Sequence, residues 1–314
     1  MMSYRVDGKN DLFDLVIVGS GPAGISAAIY AKRANINVCV VEGSAPGGKI
    51  LKTGFIDNYP GYSSIKGPDL AVNMLNQLNS LSVPIFYSQV NAIEKQENYF
   101  FTYLDSKTLL SKAVIVATGT LERKLGLANE AKFETKGISY CAICDGPLYK
   151  NRDVAVVGGG NAAVEESLYL SGICNKVYLV HRRDEFRADS YAVAKLKEKK
   201  NVHFLLSHVV DSYLGDQTLK GIKVKNLKNN ELTDLTIDCL FPYIGAVPNT
   251  SFLKPFNILN EEGYVLVDAN QKTSVDGLYA AGDCVHKKIR QISTAISDGT
   301  IAALAVNDFF KLHK

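Results

Sequence analysis

The chain has 314 residues, 46% of them hydrophobic, which is a globular composition long enough for about two domains. Its 35 basic and 32 acidic residues are largely interleaved, and the net charge of +3 gives no reason to expect nucleic acid or an anionic membrane as a partner. No apolar run approaches the ~18 residues of a membrane span, and residues 1–11 lack the basic and apolar regions of a signal peptide. We therefore expect a cytoplasmic protein.

The first strong pattern is an apolar strand over residues 14–18 that runs directly into a G-x-G-x-x-G motif ending at Gly24. An Ala-rich helix follows over residues 25–34, and a second buried strand over residues 38–41 ends in Glu42. In this order of elements the glycines let the backbone approach a pyrophosphate at the helix N-terminus, and the acid about 20 residues on accepts ribose hydroxyls. The stretch predicts a binding unit for an adenosine with a free ribose, as in FAD or NAD.

Two cysteines spaced as Cys-x-x-Cys stand at Cys141 and Cys144, and an acid, Asp145, follows at once. Thiols at this spacing close a small ring, and the first tends toward a lowered pKa and thiolate reactivity. An adjacent acid can protonate a thiolate that leaves during disulfide exchange. The alternative is half of a zinc site, but such a site needs a second ligand pair, and the remaining cysteines are all solitary: Cys39, Cys174, Cys239 and Cys284. The pattern favours a redox-active dithiol.

Residues 153–163 repeat the first glycine motif without a gap when the chain is aligned with itself. The overlay aligns Gly19 with Gly158, Gly21 with Gly160, Gly24 with Ala163, and the strand at 38–41 with residues 177–180. The chain is therefore predicted to contain two nucleotide-binding units.

The two units differ where the second strand ends, because Glu42 is replaced there by His181 and a basic stretch with Arg182, Arg183 and Arg187. Loss of the carboxylate and gain of guanidinium groups suit a 2′-phosphate, because Arg offers a charged bidentate fork to phosphate oxygens. A solvated basic helix start is the ordinary alternative. The second unit is predicted to bind NADPH.

Two further apolar strands end in a glycine turn. Residues 113–116 run into Gly119, and residues 277–281 close on Gly282 and Asp283 before a helix predicted from about residue 291 to 310. An acid at the C-terminal edge of a strand can accept a hydroxyl from a ligand in the sheet's crevice, but Asp is also an ordinary helix-entry residue. Both interpretations of the acid are open from the residues alone.

Together these motifs resemble the low-molecular-weight bacterial thioredoxin reductases over essentially all of residues 14–309. The segments that carry the resemblance are 19–24, 47–48, 117–119, 141–146, 158–166, 181–188, 282–283 and 290–291. Several are shared among flavin disulfide reductases. The placement of Cys-x-x-Cys-Asp just before the second glycine motif is specific to this group.

The resemblance implies an α/β fold with two Rossmann-like dinucleotide-binding domains, the second inserted in the first. It places an FAD-binding domain at residues 1–118 and 247–314, and an NADPH-binding domain that carries the cysteine pair at residues 119–246. It also implies a homodimer that passes electrons from NADPH through FAD and the dithiol to the disulfide of thioredoxin. In that scheme Cys144 accepts the electrons, Cys141 attacks thioredoxin, and Asp145 is the acid–base residue.

The resemblance also assigns cofactor contacts. The residues expected to bind FAD are Gly19, Gly21, Pro22, Ala23, Gly24, Glu42, Gly43, Gly47, Gly48, Lys49, Asn58, Thr118, Gly119, Gly282, Asp283, Arg290, Gln291 and Ile292. The residues expected to bind NADPH are Gly158, Gly160, Asn161, Ala163, Glu166, His181, Arg182, Arg183 and Arg187.

The chain departs from the family pattern at two places. Lys49 stands where members usually have Gln, and Asn161-Ala162 stands where Asn-Thr or Asp-Ser is common. A cation near the flavin can alter its reduction potential. We therefore expect these departures to affect the rate or the cofactor affinity but not the class of enzyme.

Other proteins with these folds and motifs remain alternatives. A ferredoxin- or flavodoxin-NADP reductase lacks the cysteine pair, and a reductase of the glutathione-reductase type carries its cysteines in the flavin domain. A reductase of the alkyl-hydroperoxide type carries additional N-terminal thioredoxin-like domains. A nucleotide-sensing module has no need of a dithiol beside an acid, and another small dithiol protein could replace thioredoxin as the substrate.

The position of the dithiol also predicts motion. Cys144 precedes the second nucleotide-binding strand by only nine positions, whereas the flavin is expected on the other domain. Alternating access of the nicotinamide and the dithiol to the flavin would solve this geometry. The chain crosses between the domains near residues 118–120 and 244–248, and both crossings contain a glycine suited to a hinge.

Overall fold

The computed structural model describes residues 12–312, which divide into two compact units. The first unit contains the chain up to Leu51, Phe55–Leu121 and the chain from Val247 onward. The second contains Lys52–Gly54 and Glu122–Ala246.

The strands, in chain order, are β1 (Leu12–Val18), β2 (Val38–Glu42), β3 (Phe55–Ile56), β4 (Ile65–Lys66), β5 (Ile85–Tyr87), β6 (Val90–Gln96), β7 (Tyr99–Leu104), β8 (Thr108–Val116), β9 (Thr120–Glu122), β10 (Asp153–Val157), β11 (Lys176–His181), β12 (Val202–Leu206), β13 (His208–Gly215), β14 (Leu219–Asn226), β15 (Leu232–Thr236), β16 (Cys239–Pro242), β17 (Ala246–Pro248) and β18 (Leu278–Ala280). The α-helices are α1 (Pro22–Arg33), α2 (Gly67–Ser80), α3 (Glu130–Phe133), α4 (Ala142–Asp145), α5 (Asn161–Ser171), α6 (Ser190–Lys197) and α7 (Ile292–Leu312).

The sheet of the first unit is built around β1. This strand pairs in parallel with β2 on one side and β8 on the other, and β5 extends the sheet beyond β2. Leu15 and Ile17 belong to a buried cluster with residues of α1 and α7, whereas Val16 and Val18 belong to the cluster on the opposite face. A strand that is covered on both faces has no polar side, which explains the apolar run over residues 15–18.

Strand β8 is longer than its sequence pattern indicates. It begins at Thr108, not at residue 113, because its first half pairs antiparallel with β7. Its second half pairs with β18 on the same edge that β7 occupies. Strand β1 pairs with the opposite edge of β8. The polar residues Ser111 and Lys112 interrupt the apolar run and hide the first half of the strand from pattern analysis.

The second unit repeats this arrangement around β10, which lies parallel to both β11 and β16, with β12 at the edge. Val154 and Val156 pack in a cluster with residues of α5. Ala155 and Val157 pack on the other face with the antiparallel sheet of β13, β14 and β15. Two sheets, each with a parallel β-α-β core, confirm the predicted fold class.

Helices α1 and α7 lie very close together in the first unit. A Cβ at Gly299 would collide with the carbonyl oxygen of Ala23, so glycine at this position allows the close approach. Ser26 Oγ donates a hydrogen bond of 3.0 Å to the Ile296 carbonyl oxygen across the same contact. The C-terminal segment of the chain is thereby joined to the N-terminal nucleotide-binding motif, although the whole second unit separates them in sequence.

The two connections between the units contain strands β9 and β17, which pair with each other as a two-stranded sheet. Gly119 precedes β9 with a φ of 63°, and Gly245 precedes β17 with a φ of 117°. A Cβ at either glycine would meet nothing within 4 Å. Each connection therefore includes a glycine in a backbone region that strains other residues.

Helices within residues 12–312 do not combine the length and the apolarity that crossing a membrane requires. The expectation that residues 1–11 are not a signal peptide falls outside the described residues.

Candidate active site

The first glycine loop connects β1 to α1 and is shaped by close backbone approaches. Gly19 has a φ of 102°, and a Cβ at Gly24 would collide with the Gly19 carbonyl oxygen. Gly21 caps the helix in an extended conformation, and a Cβ there would meet nothing within 4 Å. The space beside Gly21 is therefore open, and the N–H groups of the first helical turn have no acceptor within the helix. This is the geometry that a pyrophosphate requires.

Glu42, at the end of β2, holds this loop in place. Its Oε2 accepts hydrogen bonds from Ser20 N at 2.8 Å and Ser20 Oγ at 2.6 Å, and its Oε1 accepts one from Ser44 N at 2.7 Å. Glu42 is 9% exposed, and a carboxylate that accepts three hydrogen bonds has capacity for one more, such as one from a ribose hydroxyl. Glu42 is thus a support for the loop in addition to its expected role as a ligand.

Asp283 lies beside the same loop. A Cβ at Gly282 would lie 2.8 Å from the Ala23 Cβ, which brings the β18 turn against the start of α1. The Oδ1 atom of Asp283 is buried and has no hydrogen-bond partner within residues 12–312. Burial raises the pKa of this carboxyl, and the charges of Lys287, Lys49 and Arg290 act in the opposite direction. A buried acceptor without a donor in the chain fits a hydrogen-bond donor of a ligand, such as a hydroxyl group.

Other predicted FAD contacts gather in the same unit. Asn58 Nδ2 donates to Gln291 Oε1 at 3.4 Å, just before Ile292 begins α7. Arg290 lies over the Tyr264 ring, with 4.2 Å between its Cζ and the ring centroid, and its Nε donates to the Asp283 carbonyl oxygen at 3.3 Å. These contacts all lie inside the first unit.

The segment Gly47-Gly48-Lys49 is tied to the first loop by its backbone. Gly47 N donates to the Ser20 carbonyl oxygen at 2.8 Å, and a Cβ at Gly48 would lie 3.4 Å from Gly21 Cα. Lys49 is exposed, and its charge acts on Asp283. The cation that departs from the family pattern therefore lies on the side of the loop where FAD is expected.

Gly43 and Thr118 complete the surroundings of the first loop. Gln89 Nε2 donates to the Gly43 carbonyl oxygen at 2.7 Å, and a Cβ at Gly43 would lie 2.6 Å from Gln89 Oε1. Thr118 Oγ1 donates to the Asn249 carbonyl oxygen at 2.7 Å. Both positions are held by contacts inside the first unit.

The second glycine loop connects β10 to α5 in the second unit. Gly158 has a φ of 149°, and a Cβ there would collide with the Tyr243 carbonyl oxygen. Gly160 caps α5 in an extended conformation, with nothing within 4 Å of a Cβ. Asn161 begins the helix, and Ala163 is buried where the first loop has Gly24. The second loop therefore has the same open side as the first.

His181 lies under this loop, so close that a Cβ at Gly159 would collide with its ring. The imidazole stacks on Phe186 with 5.5 Å between ring centroids, and its Nε2 lies 3.1 Å from the Glu185 carbonyl oxygen. Desolvation lowers the pKa of His181, which keeps the ring neutral. The ring is consequently a packing surface for the loop.

Arg182, Arg183 and Arg187 are all exposed. Their guanidinium groups have no carboxylate partner in the part of the chain that the structure describes. Arg187 N donates to the Gly159 carbonyl oxygen at 2.8 Å, which anchors the basic segment to the glycine loop. The guanidinium groups are thus placed for an anionic ligand.

Cys141 and Cys144 form a disulfide with a Cα–Cα distance of 5.3 Å. Cys141 caps the short helix α4, and its Sγ accepts a hydrogen bond of 3.2 Å from Cys144 N. Cys141 is buried, at 7% exposure, whereas Cys144 is exposed. The two sulfurs therefore differ in their access to solvent.

Ser139 places the acid beside this disulfide. Its Oγ donates to Asp145 Oδ2 at 2.6 Å and accepts a hydrogen bond of 3.1 Å from Cys141 N. One hydroxyl thus connects the backbone of the first cysteine to the carboxylate that follows the second. The sequence indicated the acid but not the serine that orients it.

The remaining four cysteines are buried: Cys39, Cys174, Cys239 and Cys284. Burial raises the pKa of Cys174 to about 11, that of Cys239 to about 12 and that of Cys284 to about 11. Residues 12–312 contain no group of three or more His, Cys, Asp or Glu side chains arranged to hold a metal ion.

Comparisons with known proteins agree with this geometry. Residues 13–299 match the family described as pyridine nucleotide-disulphide oxidoreductase. The chain is 49% identical to the thioredoxin reductase of Mycoplasma pneumoniae over 299 residues, which is 95% of each protein. It belongs to the thioredoxin reductase family.

Other relatives support the same assignment. Identity to the thioredoxin reductase of Listeria monocytogenes is 37% over 94% of this chain and 92% of that protein. The solved thioredoxin reductase of Lactococcus lactis has a TM-score of 0.93, with 36% identity over 96% of this chain and 99% of that one. A ferredoxin-flavin thioredoxin reductase of Clostridium acetobutylicum has a TM-score of 0.54 and 30% identity over 96% and 99% of the two chains.

Thioredoxin reductases of this family use FAD and NADPH, and the residues present fit both groups. Beside the first loop, the open space at Gly21 and the unpartnered Oδ1 of Asp283 suit a pyrophosphate and a hydroxyl. Beside the second loop, the open space at Gly160 and the exposed arginines suit a pyrophosphate and a 2′-phosphate. The two loops thus differ in the way that FAD and NADPH differ.

One predicted NADPH contact has a different position from its neighbours. Glu166 is 6% exposed on the inner face of α5, and its Oε2 has no hydrogen-bond partner among the described residues. Glu165, the adjacent residue, is exposed instead. Glu166 stays a predicted NADPH contact, because a buried acceptor without a donor in the chain, on the helix that follows the second glycine loop, fits a hydrogen-bond donor of a ligand.

Proposed function

We propose that this protein is an NADPH-dependent thioredoxin-disulfide reductase that contains FAD. The observation that carries the proposal is the Cys141–Cys144 disulfide with Asp145 held beside it, in the same unit as a glycine loop with unpaired arginines. Bound FAD supplies a two-electron carrier between NADPH and the disulfide. The chain itself binds both nucleotides, holds the sulfurs and moves the protons.

The dithiol exchanges with thioredoxin in two thiolate attacks. A thiolate of the chain attacks one sulfur of the thioredoxin disulfide, a mixed disulfide forms, and the departing thioredoxin thiolate takes up a proton. The second thiolate of the chain then attacks the mixed disulfide, which restores Cys141–Cys144 and releases the thioredoxin dithiol. Asp145, oriented by Ser139, is the proton donor and acceptor for these sulfurs.

Exposure decides which sulfur we assign to the first attack. The sequence interpretation gave this step to Cys141, but Cys141 is buried and Cys144 is exposed. We assign the attack on thioredoxin to Cys144, because an attacking thiolate must reach a sulfur on another protein. A thioredoxin variant that lacks its second cysteine should be trapped as a mixed disulfide by Cys141→Ser and not by Cys144→Ser. Trapping by Cys144→Ser alone would restore the sequence-based assignment.

The electron donor is the second point of the proposal. One structural neighbour is named a ferredoxin-flavin thioredoxin reductase, so a donor other than NADPH is the relevant alternative. The three exposed guanidinium groups beside the second glycine loop support NADPH, because a protein that takes electrons from ferredoxin has no need of a 2′-phosphate site.

Turnover by the purified, FAD-loaded protein tests the function. We expect NADPH oxidation to depend on added thioredoxin and to produce two free thioredoxin thiols for each NADPH oxidised. A parallel reaction with reduced ferredoxin and no NADPH is the control for the alternative donor. Reduction of thioredoxin only in the ferredoxin reaction, or NADPH oxidation indifferent to thioredoxin, would overturn the proposal.

The homodimer and the cytoplasmic location are carried by the family resemblance and belong to the proposal. Light scattering on the holoenzyme should give twice the mass of the chain. A mass equal to one chain at micromolar concentration would remove the dimer from the proposal and leave the activity untouched.

A further inference from the structure

Ser207 is a buried serine in a backbone conformation that favours glycine. It lies between β12 and β13 with a φ of 56° and is 7% exposed. Residues other than glycine and asparagine adopt this left-handed region only at a cost in free energy. The hydroxyl is the group that glycine would lack, so its contact is where the reason for a serine is found.

That hydroxyl reaches the basic segment, residues 182–187, which follows β11. Ser207 Oγ donates a hydrogen bond of 2.5 Å to Asp184 Oδ1, and Ser207 N donates one of 3.2 Å to the Arg183 carbonyl oxygen. The Ser207 carbonyl oxygen in turn accepts a hydrogen bond of 2.8 Å from Leu227 N. The backbone and the side chain of one residue thus bind two consecutive residues of the basic segment.

Lys228 is a second partner of Asp184. Its Nζ lies 2.9 Å from the same Oδ1 atom, and its backbone N donates to Asn226 Oδ1 at 2.8 Å in the turn that follows β14. The Ser207 hydroxyl and, after it, Lys228 hold the pKa of Asp184 below its usual value. The lysine and the aspartate are both exposed, so the ion pair alone contributes little. The hydrogen bond from the buried serine is the stronger contact.

The other end of the basic segment is attached to the second glycine loop. Arg187 N donates to the Gly159 carbonyl oxygen at 2.8 Å, and two residues later Asp189 N donates to Asn161 Oδ1 at 2.9 Å. Asn161 is the first residue of α5. The stretch that carries the arginines is therefore fixed at both ends. Release of one end would let the guanidinium groups move relative to the loop, and hydrogen bonds weaken steeply when their distance or angle is wrong.

Asp184 is also an acid within a segment that is expected to bind an anion. A carboxylate there can pair with a neighbouring guanidinium group and occupy the donors that a phosphate needs. Instead, the contacts of Asp184 within residues 12–312 are those with Ser207 and Lys228. These two residues thus keep the carboxylate from competing for Arg182 and Arg183.

We propose that Ser207 and Lys228 are positioning residues for the selectivity between NADPH and NADH. By binding Asp184 they attach the basic segment to the rest of the second unit, and they leave its guanidinium groups to a 2′-phosphate. The proposal rests on the proposed function and deepens it, because it names residues beyond the arginines that select the nucleotide.

Binding of NADP⁺ and NAD⁺ to the oxidised, FAD-loaded protein tests the proposal, because neither nucleotide donates a hydride. The dissociation constants are measured by isothermal titration calorimetry, and thermal unfolding is followed on the same samples. Ser207→Gly is the central variant, since glycine suits the left-handed backbone and removes the hydroxyl. The nucleotides differ only in the 2′-phosphate, so the ratio of their dissociation constants reports the basic segment alone.

We expect Ser207→Gly to bind NADP⁺ roughly threefold to tenfold more weakly, which is the size of one lost hydrogen bond. Its affinity for NAD⁺ should be unchanged. Its unfolding midpoint should stay within about 2 °C of the wild type, because relief of the backbone strain offsets the lost contact. A merely structural role would lower the midpoint and weaken both nucleotides together.

Two neutral replacements of the acid provide a comparison at equal charge. Asp184→Asn keeps an acceptor oxygen for the Ser207 hydroxyl, whereas Asp184→Ala removes it. We expect the alanine variant to bind NADP⁺ roughly threefold to tenfold more weakly than the asparagine variant, with equal affinity for NAD⁺.

The lysine should have a smaller effect. Lys228→Ala is expected to weaken NADP⁺ binding about twofold, because the ion pair is exposed. The matched control is Lys220→Ala, which removes an exposed lysine at the far end of β14 and should change nothing. Equal effects of these two substitutions would remove Lys228 from the proposal.

An unchanged ratio of the two dissociation constants in Ser207→Gly would overturn the proposal, as would equal losses for both nucleotides. If Ser207→Gly does not fold with FAD bound, the pair of Asp184 variants decides, and equal NADP⁺ affinity in the two would overturn the proposal. Failure of the proposed electron donor has a different result. In that case the wild type itself would show no preference for NADP⁺, and this inference would be overturned with it.

Discussion

The two glycine loops share a backbone conformation, and three differences between them affect how they pack. Ser20 and Glu42 of the first loop correspond to Gly159 and His181 of the second in the overlay of the two motifs. In the first loop the Ser20 hydroxyl bonds the Glu42 carboxylate at 2.6 Å. In the second loop the glycine provides the space that the His181 ring fills. Ser20 thus fits Glu42, and Gly159 fits His181. A substitution at one residue of either pair therefore disturbs the other residue of that pair.

The second difference is at the last position of the glycine motif. Gly24 cannot carry a Cβ because the Gly19 carbonyl oxygen occupies that space, whereas Ala163 carries one. The third difference lies about one turn further along each helix, where the first unit has Ala27 and the second unit has Glu166. Both residues are buried. The first helix is therefore packed more closely on its loop, and only the second helix contains a buried group that titrates.

Replacing Gly24 by alanine, the residue that the second loop tolerates, should have the largest effect. The new Cβ would collide with backbone, which cannot move without displacing the loop from the N-terminus of α1. We expect the Gly24→Ala variant to be purified without bound FAD, and its absorption spectrum measures the FAD content. The reverse change, Ala163→Gly, is the control and should reduce NADPH-dependent activity only slightly. A yellow Gly24→Ala variant would show that the two loops are equally tolerant.

Removing the titrating group from α5 should make the second helix resemble the first. The folded-state pKa of Glu166 lies above its unfolded value of 4.5, so between the two the folded state holds a proton that the unfolded state has released. Stability then falls as pH rises, by about 1.4 kcal/mol per pH unit and roughly 4 kcal/mol between about pH 5 and about pH 8. We expect the unfolding midpoint of Glu166→Gln to be higher at pH 8 and flatter with pH than that of wild type. Parallel curves for the two proteins would contradict this expectation.

Neutralising the arginines that follow β11 should remove the preference of the second unit for NADPH over NADH. Each charge-assisted hydrogen bond to a 2′-phosphate contributes ~1.5 to 3 kcal/mol, so two or three account for a preference of at least about a hundredfold. Arg182→Ala combined with Arg187→Ala should bring kcat/KM for NADPH close to that for NADH. Lys195→Ala on α6, a cation outside the segment, is the matched control. An unchanged ratio in the double variant would mean that the arginines serve the surface.

Exchanging the paired loop residues should have the smallest effect and should reveal the pairing. Gly159→Ser introduces a side chain into the space of the His181 ring, and we expect roughly tenfold weaker NADPH binding, measured by titration. Ser20→Gly removes one hydrogen bond to Glu42, and we expect about 1 kcal/mol of lost FAD affinity. Combining Gly159→Ser with His181→Ala should recover most of the NADPH affinity. Additive losses in the double variant would contradict the pairing.

Patterns that depend on local chemistry could be predicted from the sequence. The parallel strands around β1 and β10 are continuous apolar runs, and the glycines at 19 and 158 are required by their backbone conformation. The Cys-x-x-Cys-Asp segment was equally visible because its residues are adjacent in sequence. Such features need no knowledge of the tertiary structure.

Features that depend on contacts distant in sequence could not be predicted. Tyr243 reaches Ala142 N across 101 positions, and a tyrosine after a buried strand has no pattern of its own. Ser139 precedes Asp145 by six residues, a spacing that brings them together only because α4 turns between them. The strands β13, β14 and β15 alternate polar and apolar residues weakly, and their apolar side is defined by the sheet on which they pack.

The four buried cysteines have a consequence for chemical selectivity. A protein that handles disulfides works among thiolates that attack any accessible sulfur, and its own thiols compete for the same partners. Desolvation keeps Cys174, Cys239 and Cys284 protonated far above neutral pH, so they are poor nucleophiles as well as being inaccessible. Only the pair at 141 and 144 is left to exchange, and the folded chain can pass through many oxidation cycles without forming a wrong internal bridge.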